Sequence, residues 1–209
     1  MNRTLSLVIE LAVGKGEVSI WKNGEFLRES KPSGESMSSE DVLIHIRSLL
    51  QDEKSSIAAV KEIVCSTGPG GYTGIRVGIA TVKGLQKAAG LEAYGYSTID
   101  ALLLGAADSS RAVLEAGRKE YLVGDLRSFR IIKHFELPAL IVEQRIECVV
   151  GAVGDPGKLE SLIKTTNATF VNASDNVNKL LYELHVERKG EGSSLSPIYG
   201  RSFPTGSAK

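Results

Sequence analysis

The sequence predicts an α/β protein whose second half repeats the element order of its first half. Three observations carry this reading. Short apolar and β-branched runs alternate with stretches of helical spacing. Each half opens on a strand that ends in an acid and runs into a turn with glycine and a basic residue: Glu10 with Gly14-Lys15-Gly16, and Glu115 with Gly117-Arg118-Lys119. Glycine makes up 22 of 209 residues without any linker or collagen repeat, which assigns it to tight turns and close packing. The length suits one large core or two lobes of roughly 100 residues each.

In order, residues 5–9 form an apolar strand, and residues 17–21 alternate as a second. Lys22-Asn23-Gly24-Glu25 carries the Asn-Gly hairpin signal, and a third strand runs from Phe26 to about Ser30. Ser38 or Ser39 caps a helix with Glu40 and Asp41 in its first turn. Val42, Leu43, Ile46, Leu49 and Leu50 then repeat at helical spacing. A strand at 62–66 leads into the glycine-rich stretch, and a second helix covers 73–89. The second half reads as three strands at 112–115, 120–123 and 129–134, a brief helix at 140–143 and a buried strand at 146–153. A segment at 158–164, a strand near 169–171 and a helix from 174 to about 188 complete it. The repeat lies in element order, not in residue identity. Of the last 20 residues 11 are Gly, Ser or Pro, which reads as a loose tail with Pro197-Ile198-Tyr199 able to dock. The expected division is 1–100, 101–190 and a tail at 191–209.

Lys plus Arg and Asp plus Glu are 25 each, so the net charge is zero and a protein that coats nucleic acid by bulk electrostatics is excluded. Between Arg111 and Lys133 six basic residues oppose three acids, which reads as a solvated face or a weak RNA contact. The apolar run Leu5–Val13 is nine residues long and contains Glu10, too short and too charged for a membrane span. The two cysteines, Cys65 and Cys148, lie in apolar runs and are expected as buried reduced thiols. A cytoplasmic, soluble protein is expected.

The strongest local signal is the run from Ser66 to Ile79, Ser-Thr-Gly-Pro-Gly-Gly-Tyr-Thr-Gly-Ile-Arg-Val-Gly-Ile. A strand ends, glycines follow and a helix begins, so free N–H groups and the positive end of the helix dipole converge. Gly68, Gly70, Gly71, Thr73 and Arg76, with Glu10 at the end of the first strand, are the candidates for a weak phosphate or nucleotide site. Neither the Walker loop nor the dinucleotide fingerprint is present. The alternative is close packing: Gly74 and Gly78, and Ala80 and Gly84, are four apart and put small residues on one helical face. Both readings stand. His45, His134 and His185 have no metal-ligand spacing, so no metal is expected. No Gly-x-Ser-x-Gly elbow occurs.

Residues 67–85 resemble the TsaB (YeaZ) family, once labelled glycoprotease-like. The family motif, close to Gly-Pro-Gly-Ser-Phe-Thr-Gly-Val-Arg-Ile-Gly, stands here as Gly68-Pro69-Gly70-Gly71-Tyr72-Thr73-Gly74-Ile75-Arg76-Val77-Gly78. Ile9-Glu10-Leu11, Ser97-Thr98-Ile99, Glu115-Ala116-Gly117-Arg118 and Pro197-Ile198-Tyr199-Gly200-Arg201 are weaker matches along the chain. The resemblance implies two ribonuclease-H-like lobes of the actin and hexokinase (ASKHA) type. It implies a non-catalytic scaffold that activates TsaD in making threonylcarbamoyladenosine in tRNA. The implied partners are a TsaD homologue as a heterodimer, a TsaE homologue, a second copy in isolation, and tRNA only through the complex. The implied cofactors are none tightly bound, with ATP or ADP at a subunit interface. The competing reading is a nucleotide-binding or peptidase-like enzyme of the same superfamily. The family's Asp-Thr is Glu10-Leu11 here, which removes a hydroxyl and lengthens the acid; this weakens a nucleotide site in the cleft.

The resemblance also implies a partner surface on the helices at 38–51 and 73–89. Its candidate residues are Val42, Ile46, Leu49, Gly74, Ile75, Gly78, Ile79 and Val82. Apolar residues on more than one face of the second helix, and Ile44 outside the stripe of the first, favour a second buried contact. A Gly78→Leu change is then expected to overpack the contact with the partner.

Overall fold

The computed structural model describes residues 4–188, 191–192 and 194–201. Its first half runs β1 (Leu5–Glu10), β2 (Glu17–Lys22), β3 (Glu25–Ser30), α1 (Ser39–Asp52), β4 (Val60–Ser66), α2 (Tyr72–Ala89), β5 (Glu92–Tyr96) and α3 (Thr98–Leu102). The second runs β6 (Ser110–Gly117), β7 (Glu120–Gly124), β8 (Phe129–Lys133), α4 (Leu137–Glu143), β9 (Cys148–Ala152), α5 (Pro156–Ile163), β10 (Thr169–Asn172) and α6 (Val177–Glu187). The strands form two five-stranded mixed sheets, ordered β3-β2-β1-β4-β5 and β10-β9-β6-β7-β8. In each, the first strand is central, antiparallel to the second and parallel to the fourth. The repeated element order read from the sequence is thus a repeated topology.

Local chemistry accounts for the elements. Asn23 and Gly24 both take positive φ, the geometry that a two-residue turn needs between the paired residues Lys22 and Glu25. Ser38 and Asp41 form a capping box at the start of α1. Gly90, left-handed, ends α2. The sequence reading lacked β5. It is an edge strand that pairs with β4, is half-exposed and contains Gly95, so neither alternation nor an apolar run marks it.

The sheets are covered on both faces. Leu7, Ile9, Ile63 and Cys65 join the outer core with α1 residues Val42, Ile46 and Leu49 and with Val82 of α2. Val113, Tyr121 and Val149 join α4 and α5 in a corresponding core on the second sheet. Between the sheets lie α3 and α6, packed with Val8 and Val64 from one sheet and Ala112, Leu114 and Val150 from the other. The last helix, α6, lies on β1, β2, β4 and β5 of the first sheet, whereas α3 meets α6 and β9 of the second.

Polar contacts pin α6 in place. The Asn178 amide donates to the carbonyls of Val8 at 3.2 Å and Glu17 at 3.3 Å, and accepts from the Ser19 hydroxyl. His185 Nε2 lies 3.4 Å from the Glu62 carboxylate, and its Nδ1 shares a hydrogen bond of 3.0 Å with the Tyr96 hydroxyl. The His185 hydrogen bond chiefly, helped by the Ser6 hydroxyl, holds the Glu62 carboxyl down at about 2. Trp21 stacks on Tyr182 at 4.1 Å between ring centroids.

The segment expected as a loose tail is docked where it is described. The Ile198 N–H donates to the Thr67 carbonyl at 2.7 Å, Tyr199 lies against Tyr72, and Arg201 pairs with Glu120 of β7. Residues 202–209 lie outside the described residues. Among the described residues no helix is long and apolar enough to cross a membrane.

Candidate functional site

Glu10 ends β1 on the side that faces the space between the sheets, because it shares its strand face with Val8. It is 3% exposed. One carboxylate oxygen accepts the N–H of Ala12 at 2.6 Å, the N–H of Val13 at 3.0 Å and the Ser66 hydroxyl at 3.1 Å. Burial outweighs these three donors and pushes the carboxyl up to about 7. Glu10 is therefore a buried acid that fixes the turn after β1.

The glycine-rich turn is pressed against that same turn. The Gly71 N–H donates to the Ala12 carbonyl at 2.7 Å. A Cβ at Gly70 would collide with the Ala12 carbonyl, and one at Gly74 with the Leu11 carbonyl. Gly68, at φ +94°, combines a backbone conformation disfavoured for L side chains with a close approach of the Ile198 carbonyl. The structure thus gives these glycines a packing role. Thr73 and Arg76 sit exposed on α2. The Arg76 guanidinium lies 4.1 Å over the Tyr72 ring and donates to the Tyr199 hydroxyl at 2.9 Å.

Two cavities open between the sheets. One, of about 360 Å³, is bordered by Glu10, Lys15, Glu17 and Lys31 on one side and by Gly154, Ser174 and Asp175 on the other. The second, of about 310 Å³, lies between Gly70, Gly71 and Tyr72 and the β6–β7 turn, with Glu115 and Gly117 in its wall. The candidate phosphate residues are therefore split: Glu10 borders the first cavity, and Gly70 and Gly71 border the second. In the first cavity Glu17 is also raised to about 7, by burial and by Glu29, against the pull of Lys31 at 3.2 Å. Glu115 is exposed, beside Gly154.

The candidate partner residues need correction. Val42, Ile46, Leu49, Ile75, Ile79 and Val82 are buried within the chain, where they pack on the first sheet and the turn after β1. Gly74 and Gly78 are the seat of Leu11, whose side chain lies 3.7 Å from a Cβ built at Gly78. Gly78→Leu would therefore strike Leu11 within the chain rather than a partner. Small residues four apart do mark a close approach, but by a loop of the same chain instead of a second helix. Among the residues that α1 and α2 leave outward are Leu43 and Ile44, 49% and 57% exposed, with Arg47, Ala80, Lys83 and Gly84.

His45 bonds the Ser30 hydroxyl, and His134 stacks on Tyr121 at 3.8 Å, with burial lowering its pKa. Among the described residues no three His, Cys, Asp or Glu side chains gather into a set that could hold a metal ion. Cys65 is buried and its thiol is pushed up to about 12 by burial, while Cys148 is half-buried. Sequence reasoning missed the anchors Asn178 and His185. They stand seven apart on α6, on one face with Leu181, and that spacing was the available signal.

The structure is thus an α/β protein with two mixed sheets flanked by helices and a cleft between them. A crystal structure of an uncharacterised protein with similarity to peptidase YeaZ, from Pseudomonas aeruginosa, matches with a TM-score of 0.68 at 20% identity, over 95% of this chain and 100% of that one. YeaZ from Pseudomonas aeruginosa matches with a TM-score of 0.66 at 20% identity, over 94% and 99%. The ethanolamine utilization protein EutJ from Carboxydothermus hydrogenoformans gives 0.50 at 12% identity, over 88% and 90%. No curated protein sequence matches. Residues 35–185, well over half of the chain, match the family model described as TsaD, tRNA N6-adenosine threonylcarbamoyltransferase, and the chain belongs to that family.

Proposed function

We propose that the chain is the TsaB (YeaZ)-type member of this family, a non-catalytic scaffold that pairs with a TsaD homologue in the threonylcarbamoyladenosine modification of tRNA. Its two sheets then correspond to the ribonuclease-H-like lobes of the actin and hexokinase type. The observation that carries the reading is that one oxygen of the cleft acid and the backbone of the glycine turn are engaged inside the chain. Glu10 is occupied by Ala12, Val13 and Ser66, and Gly70, Gly71 and Gly74 are occupied by Leu11 and Ala12. The likeness to YeaZ over nearly the full length of both chains supports it. In this reading ATP or ADP is taken up at a subunit interface, a TsaE homologue is the third component, and the isolated chain forms a homodimer.

The partner surface is the outward side of α1 and α2, centred on Leu43 and Ile44. Burying two such exposed side chains supplies the apolar centre of an interface. The test is co-purification with the TsaD homologue and an assay of threonylcarbamoyl transfer to tRNA. The chain alone is expected to be inert and to restore transfer when added to its partner. Ile44→Asp, at an exposed position and hence folded, is expected to weaken association by about tenfold or more. Hydrolysis of ATP or of a peptide by the lone chain would establish the enzyme reading instead. Full association of a folded Ile44→Asp protein would move the interface elsewhere.

A further inference from the structure

The C-terminal segment 194–201 is held by both sheets at once. On the first sheet, Leu195 packs with the outer core and with Ile75, and the Ile198 N–H bonds the Thr67 carbonyl at 2.7 Å. Tyr199 then rests on α2, 5.0 Å from the Tyr72 ring and bonded to Arg76 at 2.9 Å. Two residues further on, the chain has crossed to the second sheet. A Cβ at Gly200 would lie 2.8 Å from Leu122 of β7, and Arg201 pairs with Glu120, which also holds Lys133 at 2.6 Å. Between these attachments lies the cavity of about 310 Å³, with Tyr199, Gly200 and Arg201 in its wall.

We propose that residues 194–201 are a releasable clasp that sets the width of the cleft between the glycine-rich turn and the β6–β7 turn. The two ends differ in kind. The first-sheet end is a half-buried apolar side chain and a backbone hydrogen bond, which persist in salt. The second-sheet end is an ion pair whose arginine is 42% exposed, which salt and competing charge weaken. The clasp therefore lets go at Arg201 first and stays tethered at Ile198.

The test is a distance across the cavity in the full chain. Spin labels are placed at Thr73→Cys and Arg118→Cys, both exposed and next to opposite walls, with Cys148→Ser to remove the half-buried thiol. The protein with its own clasp is expected to give one narrow distance distribution. Tyr199→Ala combined with Arg201→Glu is expected to lengthen and broaden it by several ångström, high salt to do so in part, and Arg201→Lys to leave it unchanged. Circular dichroism monitors folding, and if the double variant is unfolded, Arg201→Glu alone is judged on the same distances. An unchanged distribution in the folded variant overturns the clasp. An equal lengthening with Arg201→Lys overturns the ion pair as its release point.

Discussion

Replacing Glu10 by glutamine is expected to raise the unfolding temperature at pH 8 and to leave it unchanged near pH 4. The carboxyl sits at about 7 in the folded protein against an ordinary 4.5, because burial penalises its ionised form. A raised folded value means that the folded chain holds this proton more tightly than the unfolded chain. The stability that follows is complete below about pH 4.5 and is lost as pH rises through about 7. At about 1.4 kcal/mol per pH unit the loss is up to about 3 kcal/mol, or of the order of 5–10 °C for a chain of this size. Glutamine keeps the carbonyl oxygen that accepts from Ala12, Val13 and Ser66 but cannot ionise. Thermal unfolding of both proteins from pH 4 to 9 reads the difference, and Glu17, raised in the same range, is present in both. Curves that stay parallel across that range would mean that Glu10 ionises freely in the folded state.

Two glycines of one helix are expected to respond to alanine with opposite signs. At Gly74 a Cβ would fall on the Leu11 carbonyl, backbone against backbone, with no flexible side chain to give way. Gly74→Ala is expected to cost about 3 kcal/mol or more, because the turn after β1 must lift off α2. At Gly84 nothing lies within 4 Å of the added methyl. There alanine is expected to stabilise by about 0.5–1 kcal/mol through its better helix propensity. Denaturant unfolding of the two variants gives both values. Equal effects would mean that the turn is not seated on the helix.

Elements fixed by neighbours in sequence were legible. The Asn23-Gly24 turn, the cap at Ser38 and the strand–glycine–helix passage at 66–72 all depend on a few adjacent residues. Features set by distant contacts were not. Gly74 and Gly78 announce that something comes close, but only the fold shows it to be Leu11. Ile75, Ile79 and Val82 looked too widely spread for one sheet, yet the turn after β1 and the segment at 195–199 cover what the sheet leaves. The burial of Glu10 depends on Ser66 and on a cleft completed by the other half of the chain, which a strand-end acid does not advertise.

The crossed placement of the last helix bears on how the chain is made. A ribosome releases β1–β5 before the second half, and the face carrying Val8, Val64 and Tyr96 remains uncovered until α6 emerges, after every strand of the second sheet. Through that interval the nascent first half displays an apolar sheet surface on which Ser19 and Glu62 lack their partners Asn178 and His185, a substrate for chaperones and for wrong pairing. A stop codon before Val177 would therefore damage the first sheet, encoded far upstream, by leaving it without its inner layer.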